Sequence, residues 1–152
     1  MKKLSYAALE EQGYEGYLLK DAPERVLQFG EGNFLRAFVD YFIDMMNEKA
    51  GFNSKVVLVQ PIANHNDFSL ADVINEQEGL YTLYLRGFEN GRKVNDKRII
   101  SCVSRCLNVH SDYEQVMACA ENPDLRFITC NTTEAGIAYD PSCRFEETPP
   151  SS

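Results

Sequence analysis

The chain has 152 residues, of which 44% are hydrophobic, and a formal net charge of -8. Its length and apolar content are typical of one globular domain and argue against intrinsic disorder. The acidic charge disfavours binding to a phosphate backbone, and no apolar run reaches the roughly 18 residues that a membrane span needs. We therefore expect a soluble, cytoplasmic protein that binds neither nucleic acid nor membrane.

The first half of the chain predicts a strand, a helix and a second strand. Residues 1–24 are interpreted as a lead-in, and Val26–Phe29 is an apolar run typical of a buried parallel strand. Val56–Val59 is a second run of this kind, so the three elements form a βαβ unit. The helix between them is predicted to end at Gly51 and to bury one apolar face: Phe34, Ala37, Phe38, Tyr41, Phe42, Met45 and Met46.

The second half predicts a β-hairpin set among shorter elements. A weaker helical pattern covers residues 67–77. Alternating aromatic and polar residues over 79–109 flank an Asn90–Gly91 turn, which is a hairpin signal. A helix over 112–120 and a strand over 125–130 follow. The predicted fold is therefore α/β and Rossmann-like, with a mainly parallel sheet and an inserted hairpin. The domain is predicted over residues 25–140, and residues 141–152 form a Pro/Ser tail.

Gly30 and Gly32 lie in the segment GEGNF, between the first strand and its helix. The unpaired N–H groups at a helix start attract anions, and glycine lets a phosphate approach the backbone closely. The spacing matches the first two glycines of a dinucleotide-binding fingerprint, with Leu35 in place of the third. The segment therefore predicts a pyrophosphate-binding turn.

The end of the second strand indicates which dinucleotide is bound. The fingerprint expects an acid there to bind the adenosine ribose, whereas this chain has Gln60, and its next acid is Asp67. Gln60 can still hydrogen-bond a ribose. No arginine lies between Arg36 and Arg86 to bind a 2′-phosphate, so NAD is predicted over NADP.

The cysteines and histidines give no sign of a metal site. The five cysteines contain no CxxC pair, and the two histidines are His65 and His110. We predict reduced, mostly buried thiols, no bound metal, and structural or surface roles for both histidines.

Three segments together resemble one protein family. GEGNFLRAF, EQEGLYTLYLRG and CNTTEAGI are similar, in this order, to motifs of the polyol-specific long-chain dehydrogenases, the mannitol dehydrogenase family. The resemblance implies that Arg36 is the motif arginine. It also implies a cofactor turn formed by Gly30, Gly32, Asn33 and Phe34. The same resemblance implies that the nicotinamide is bordered by Asn131, Thr132 and Glu134. Simpler interpretations are a core position for Phe34, an acid partner for Arg36, and a turn or cap for Asn131 and Thr132.

The resemblance also implies a chemistry and where its parts lie. Family members transfer a hydride, and VLVQPI, NTTEAG and TPPSS are most similar to members that act on small sugar acids. The family's K-x-x-x-x-N-x-x-H pattern does not occur here, so we expect no catalytic residue in this chain. We expect the substrate pocket in a helical domain after residue 152. A polyol substrate and a non-catalytic nucleotide-binding or interaction module remain alternatives, and the oligomeric state is left open.

Overall fold

The computed structural model describes residues 3–62, 69–132, 141, 142, 144 and 146. The elements in chain order are α1 Tyr6–Glu11, β1 Glu24–Phe29, α2 Asn33–Ala50, β2 Lys55–Gln60, α3 Leu70–Glu76, β3 Tyr81–Glu89, β4 Arg92–Ile100, β5 Val103–Asn108, α4 Tyr113–Ala118 and β6 Phe127–Cys130. A 3-10 turn over Cys119–Glu121 follows α4.

Four strands form a parallel sheet in the order β5-β2-β1-β6. Alternate residues of β2 point to opposite faces, because side chains alternate along a strand. Val56 and Leu58 pack on one side with Ile43 of α2, whereas Val57 and Val59 pack on the other with Val116 of α4. The sheet thus lies between two helical layers, which confirms the predicted α/β class.

The predicted hairpin is present, but the strand after it was not anticipated. β3 and β4 pair antiparallel as a separate two-stranded sheet, with Glu89 opposite Arg92. Asn90 and Gly91 have φ of 50° and 75°, as a two-residue hairpin turn requires. The prediction assigned the whole stretch through Val109 to the hairpin, whereas Val103–Asn108 is β5 and pairs with β2. Helix α1 was also not predicted.

Helix α2 has the predicted bounds but the opposite orientation. It starts after Gly32 and ends at Gly51, whose φ is 63°. The face predicted to be buried is exposed at Phe34, Phe38, Phe42 and Met46, so that prediction was wrong for most of the face, although Tyr41 is partly buried and packs against the core. The inward face instead carries Leu35, Asp40, Ile43, Asp44 and Asn47. Its polar members can be buried because other elements supply their hydrogen-bond partners.

The helices predicted over residues 67–77 and 112–120 and the strand predicted over 125–130 are present, with different limits. The helix predicted from residue 67 is α3, which begins at Leu70 because Ser69 caps its first turn. Asp112 is the N-cap of α4. Cys102, Cys106 and Cys119 are buried free thiols, Cys130 is exposed, and Cys143 lies outside the described residues. Among the described residues, no helix is long and apolar enough to span a bilayer.

Candidate functional site

The glycine turn lies where the strand order of the sheet reverses. Chain order runs outward from β1 through β2 to β5, whereas β6 pairs on the other side of β1. Phe29 is in register with Cys130, so Gly30 and Asn131 leave neighbouring carboxyl ends of the sheet. Open α/β sheets bind ligands at this kind of position. The structure therefore brings the predicted turn together with Asn131 and Thr132.

Gly30 is required by the fold itself. Its φ is 116°, a conformation that side chains rarely adopt, and a Cβ built on it would lie 3.2 Å from Cδ1 of Leu35. Leu35 is buried and occupies the third fingerprint position, so a leucine side chain packs over the glycine that opens the turn. The Gly30 N–H donates to the carbonyl of Val59 at 2.9 Å, which fixes the turn to β2.

Gly32, in contrast, has no steric reason within the fold to be glycine. Its φ is -66°, and no described atom outside its chain neighbours lies within 4 Å of a Cβ built on it. It is the N-cap of the 18-residue α2, and no side chain of the described residues caps that turn. The first N–H groups of α2 and its positive dipole end therefore suit an anion.

Arg36 braces this turn, and the described part of the chain shows no ion pair between it and an acid. Its Nε donates to the carbonyl of Glu31, and its Nη2 donates to Oδ1 of Asn33, both at 2.7 Å. The guanidinium also lies 5.3 Å from the ring centroid of Tyr81. Asn33 and Arg36 thus shape the loop from within, and a direct cofactor contact by either stays a prediction.

Phe34 and Gln60 are placed differently from each other. Phe34 is 61% exposed and stacks on Phe38 with 5.8 Å between ring centroids, so the interpretation of Phe34 as core is wrong. Gln60 is 5% exposed. Its Nε2 donates to the carbonyl of Ile62 at 3.0 Å, and its Oε1 accepts from the N–H of Ala71 at 3.3 Å. A ribose contact from Gln60 stays a prediction and requires these bonds to be exchanged.

The carboxyl end of β6 carries the remaining candidates. Asn131 and Thr132 are exposed, and the Thr132 hydroxyl lies 3.4 Å from Sγ of Cys130. Glu134 and His65 lie outside the described residues. His110 is exposed, and its N–H donates to Oδ1 of Asn108 at 2.9 Å. Within the described ranges, no three histidine, cysteine or acidic side chains form a group suited to a metal.

The sequence interpretation missed a buried polar cluster below the turn. Gln28 and Asp40 are both fully buried, and Nε2 of Gln28 donates to the carbonyl of Gly30 at 3.1 Å. The Tyr81 hydroxyl donates to the carbonyl of Arg36 at 2.8 Å and lies 3.3 Å from Oδ2 of Asp40. The available signal was Gln28 itself, a polar residue within the apolar run of β1.

Burial is the main influence on the cluster's ionisation. It raises the pKa of Asp40 from 3.8 to about 7, against the lowering effects of hydrogen bonds from Tyr81 and Gln28 and of the Arg36 charge. Burial also raises the pKa of Tyr81 well above 10, so its hydroxyl keeps its proton. A carboxyl group below the turn thus changes charge near neutral pH.

Comparison with known proteins links this chain to one family. The family described as the mannitol dehydrogenase Rossmann domain matches residues 24–150. An altronate oxidoreductase of Bacteroides thetaiotaomicron is 51% identical over 130 residues, which cover 86% of this chain and 26% of that protein. An altronate oxidoreductase of Escherichia coli O1:K1 / APEC is 48% identical over 128 residues, covering 84% and 26%. The chain spans about a quarter of the length of these curated relatives.

Solved structures agree on the fold. Pseudomonas fluorescens mannitol 2-dehydrogenase, in a ternary complex with NAD and D-mannitol, matches with a TM-score of 0.72 and 25% identity. The match covers 89% of this chain and 27% of that one. A D-sorbitol dehydrogenase in substrate-free form matches with a TM-score of 0.66 and 20% identity, over 82% of this chain and 25% of that one. The second likeness concerns the fold alone.

Proposed function

This chain belongs to the mannitol dehydrogenase family through its Rossmann domain, and from that premise we propose that it is the NAD-binding part of an altronate oxidoreductase. The observation that carries the proposal is the glycine turn at the strand-order reversal, where no side chain of the described residues caps the start of α2. Such a helix start suits a pyrophosphate. The likeness to a dehydrogenase solved with NAD supports the same ligand.

We assign a different role in NAD binding to each residue of the turn. Gly32 leaves the backbone open to the pyrophosphate, and the first N–H groups of α2 donate to its oxygens. Gly30 and Leu35 set the turn's shape, and Arg36 holds it through the Glu31 carbonyl. Asn131 and Thr132, at the neighbouring strand end, border the nicotinamide, and Glu134 follows them in the same motif.

The reaction we propose is hydride transfer between NAD and a small sugar acid, interconverting D-altronate and D-tagaturonate. The name of the relatives that are about half identical supports this substrate. The nicotinamide supplies or accepts the hydride. Reduction of a ketone also needs a proton donor within hydrogen-bonding reach, which we assign to a lysine outside this chain, in the remaining three quarters of the relatives' length. The free thiols of the described cysteines fit a reducing, cytoplasmic setting, and hexuronate catabolism is the process that uses this reaction.

Binding of NADH to the 152-residue chain tests the cofactor assignment. Gly32→Val should raise the Kd of NADH at least about tenfold, because a branched side chain occupies the phosphate's approach. Gly87→Val is the matched control, since Gly87 also has no described neighbour within 4 Å of a built Cβ and needs no positive φ. Calorimetry or NADH fluorescence measures both variants. Equal Kd values for Gly32→Val and the unmodified chain would remove the phosphate-turn assignment.

Turnover by the full-length protein tests the substrate assignment. We expect it to oxidise NADH with tagaturonate in preference to fructuronate or fructose, and the 152-residue chain to show no turnover above the buffer rate. Preference for fructuronate would reassign the substrate to a fructuronate reductase, and preference for fructose would reassign it to a mannitol-type dehydrogenase. NADH binding without turnover by the full-length protein would favour a non-catalytic binding module.

A further inference from the structure

The orientation of the peptide between Gly30 and Glu31 is set from inside the protein. Nε2 of Gln28 donates to the Gly30 carbonyl at 3.1 Å. In a planar trans peptide the C=O and the following N–H point in opposite directions. The bond from Gln28 therefore turns the Glu31 N–H away from the buried cluster, toward the side of the turn on which we place the pyrophosphate.

Gln28 acts on Asp40 from the neighbouring strand. Its side chain lowers the pKa of the Asp40 carboxyl, against the larger effect of burial, and both residues are 0% exposed. Gln28 Oε1 and Asp40 Oδ1 nevertheless have no hydrogen-bond partner among the described residues. Buried acceptors are rarely left in this state. A carboxylic acid and a primary amide can exchange two hydrogen bonds side by side, so a proton on Asp40 Oδ1 satisfies both acceptors at once.

We propose that Gln28 and Asp40 are positioning residues for the dinucleotide turn, in which a protonated Asp40 pairs with the Gln28 amide and Gln28 holds the Gly30 carbonyl. The proposal rests on the proposed function for the identity of the ligand, but the geometry that it describes belongs to this chain alone. Loss of the proton leaves a buried carboxylate below the turn. This charge repels a pyrophosphate and draws the Gln28 amide away from the Gly30 carbonyl. We call this chain of interactions, from Asp40 through Gln28 to Gly30, the relay.

The groups that face Asp40 decide when this change occurs. Arg36 and Asp44 act on it from its own helix, with opposite effects. The Tyr81 hydroxyl faces it from β3, and Sγ of Cys102, next to β5, donates to the Asp40 carbonyl at 3.3 Å. Burial outweighs these contributions and raises the pKa of Asp40 to about 7, so the change falls near neutral pH.

The backbone amide of Glu31 reports the relay without any ligand. In the 152-residue chain, its ¹⁵N chemical shift should follow a sigmoid with a midpoint near pH 7. In Asp40→Asn the same curve should be flat, because the asparagine amide donates to Oε1 of Gln28 at every pH. An identical curve in both proteins would overturn the role of Asp40, whatever the chain binds.

The Kd of NADH gives the functional arm of the test. We expect a Kd about tenfold higher at pH 8.5 than at pH 5.5 in the unmodified chain, and one independent of pH in Asp40→Asn. Gln28→Met keeps the side chain's length but removes the donor to Gly30, and should raise the Kd about tenfold at pH 5.5. An unchanged Kd in folded Gln28→Met, or the same pH dependence in Asp40→Asn, would overturn the relay.

A matched variant separates positioning from general loss of stability. Asn47 is also a buried amide, and it hydrogen-bonds both the N–H and the carbonyl of Ser54 at 2.9 Å, near the far end of α2. Asn47→Leu should lower stability as Gln28→Met does, but leave the Kd of NADH within about twofold. An equal rise in Kd for both variants would overturn the relay. If the unmodified chain does not bind NADH, the proposed function fails, and the Glu31 amide alone decides the relay.

Discussion

The two faces of helix α2 reverse the usual arrangement of a surface helix. The outward face carries Phe34, Phe38, Phe42 and Met46, which are 61%, 52%, 49% and 40% exposed. The inward face carries the apolar Leu35 and Ile43, but also Asp40 and Asp44, both 0% exposed. Burial of a carboxylate costs several kcal/mol unless it is paired or protonated. The difference shows that this helix is fixed to its domain by specific polar partners.

Each polar side chain of the inward face has a partner from another element. Asp44 accepts from Nε of Arg98 at 2.8 Å and from the N–H of Ser101 at 2.9 Å. Nη1 of the same Arg98 side chain donates to Glu48 at 2.7 Å. These bonds hold α2 to strand β4 and the residues that follow it. The hairpin therefore positions the helix whose start forms the glycine turn.

The largest loss of stability is expected when the buried acid Asp44 of the inward face is changed to alanine, Asp44→Ala. It leaves Nε and Nη2 of Arg98, a side chain that is 18% exposed, and the buried Ser101 N–H without the acceptor that Asp44 supplies. Breaking a buried ion pair by removing one partner costs roughly 3–5 kcal/mol. We expect a loss of about 4 kcal/mol in the unfolding free energy, measured by urea denaturation.

Glu48→Ala is the control, because Glu48 binds the same arginine from a more exposed site, 25% accessible. Its loss should stay below about 1 kcal/mol, as for ion pairs near the surface. Equal losses in the two variants would show that burial does not distinguish these carboxylates. The conclusion that buried polar partners fix the inward face of α2 would then be wrong.

A smaller, pH-dependent effect is expected from Asp40. Its folded pKa of about 7 lies above the unfolded 3.8, so the native state binds the proton more tightly than the unfolded chain. Stability from this group is therefore present at low pH and is lost as pH rises from about 4 to about 7. Between pH 5 and pH 8 the loss is about 3 kcal/mol.

Urea unfolding of Asp40→Asn at pH 5 and pH 8 tests this assignment. The variant should lack the fall of about 3 kcal/mol, since asparagine has no charge to bury. Asp96→Asn, at an exposed position of the hairpin, should retain it. If Asp96→Asn removed the fall and Asp40→Asn did not, the buried carboxyl would not be the group responsible.

The comparison also shows how far the sequence predicts this fold. The apolar runs of β1 and β2, the two glycines and the Asn90–Gly91 turn were recognised because their signals lie within a few neighbouring residues. Strand β5 was merged with the hairpin because it follows β4 after only two residues, Ser101 and Cys102. Periodicity along the chain indicates neither which sheet a strand joins nor where a connection turns.

The same reasoning could not predict the orientation of α2, but for a different reason. A hydrophobic pattern identifies an apolar face but not the surface that covers it. Here the inward face is decided by Arg98, Ser101 and Tyr81, which lie 54, 57 and 41 residues from the acids they contact. The candidate site followed from local motifs. The cluster of Gln28 and Asp40 below it became visible only when those distant partners were placed.

The smallest effect on stability is expected on the aromatic face, where Phe38→Gln should change the unfolding free energy by less than about 0.5 kcal/mol. Phe38 contacts Phe34 and Phe42 along the exposed stripe, with ring centroids 5.8 and 5.0 Å apart. The folded chain therefore gains little from it. A contiguous apolar stripe of this kind favours association, so light scattering should show less concentration-dependent self-association in the variant.

Phe88→Gln, on a side chain that is 80% exposed in the hairpin, should leave association unchanged. A loss above about 2 kcal/mol in Phe38→Gln would mean that the aromatic face packs within this chain, and the inverted arrangement of α2 would then be wrong.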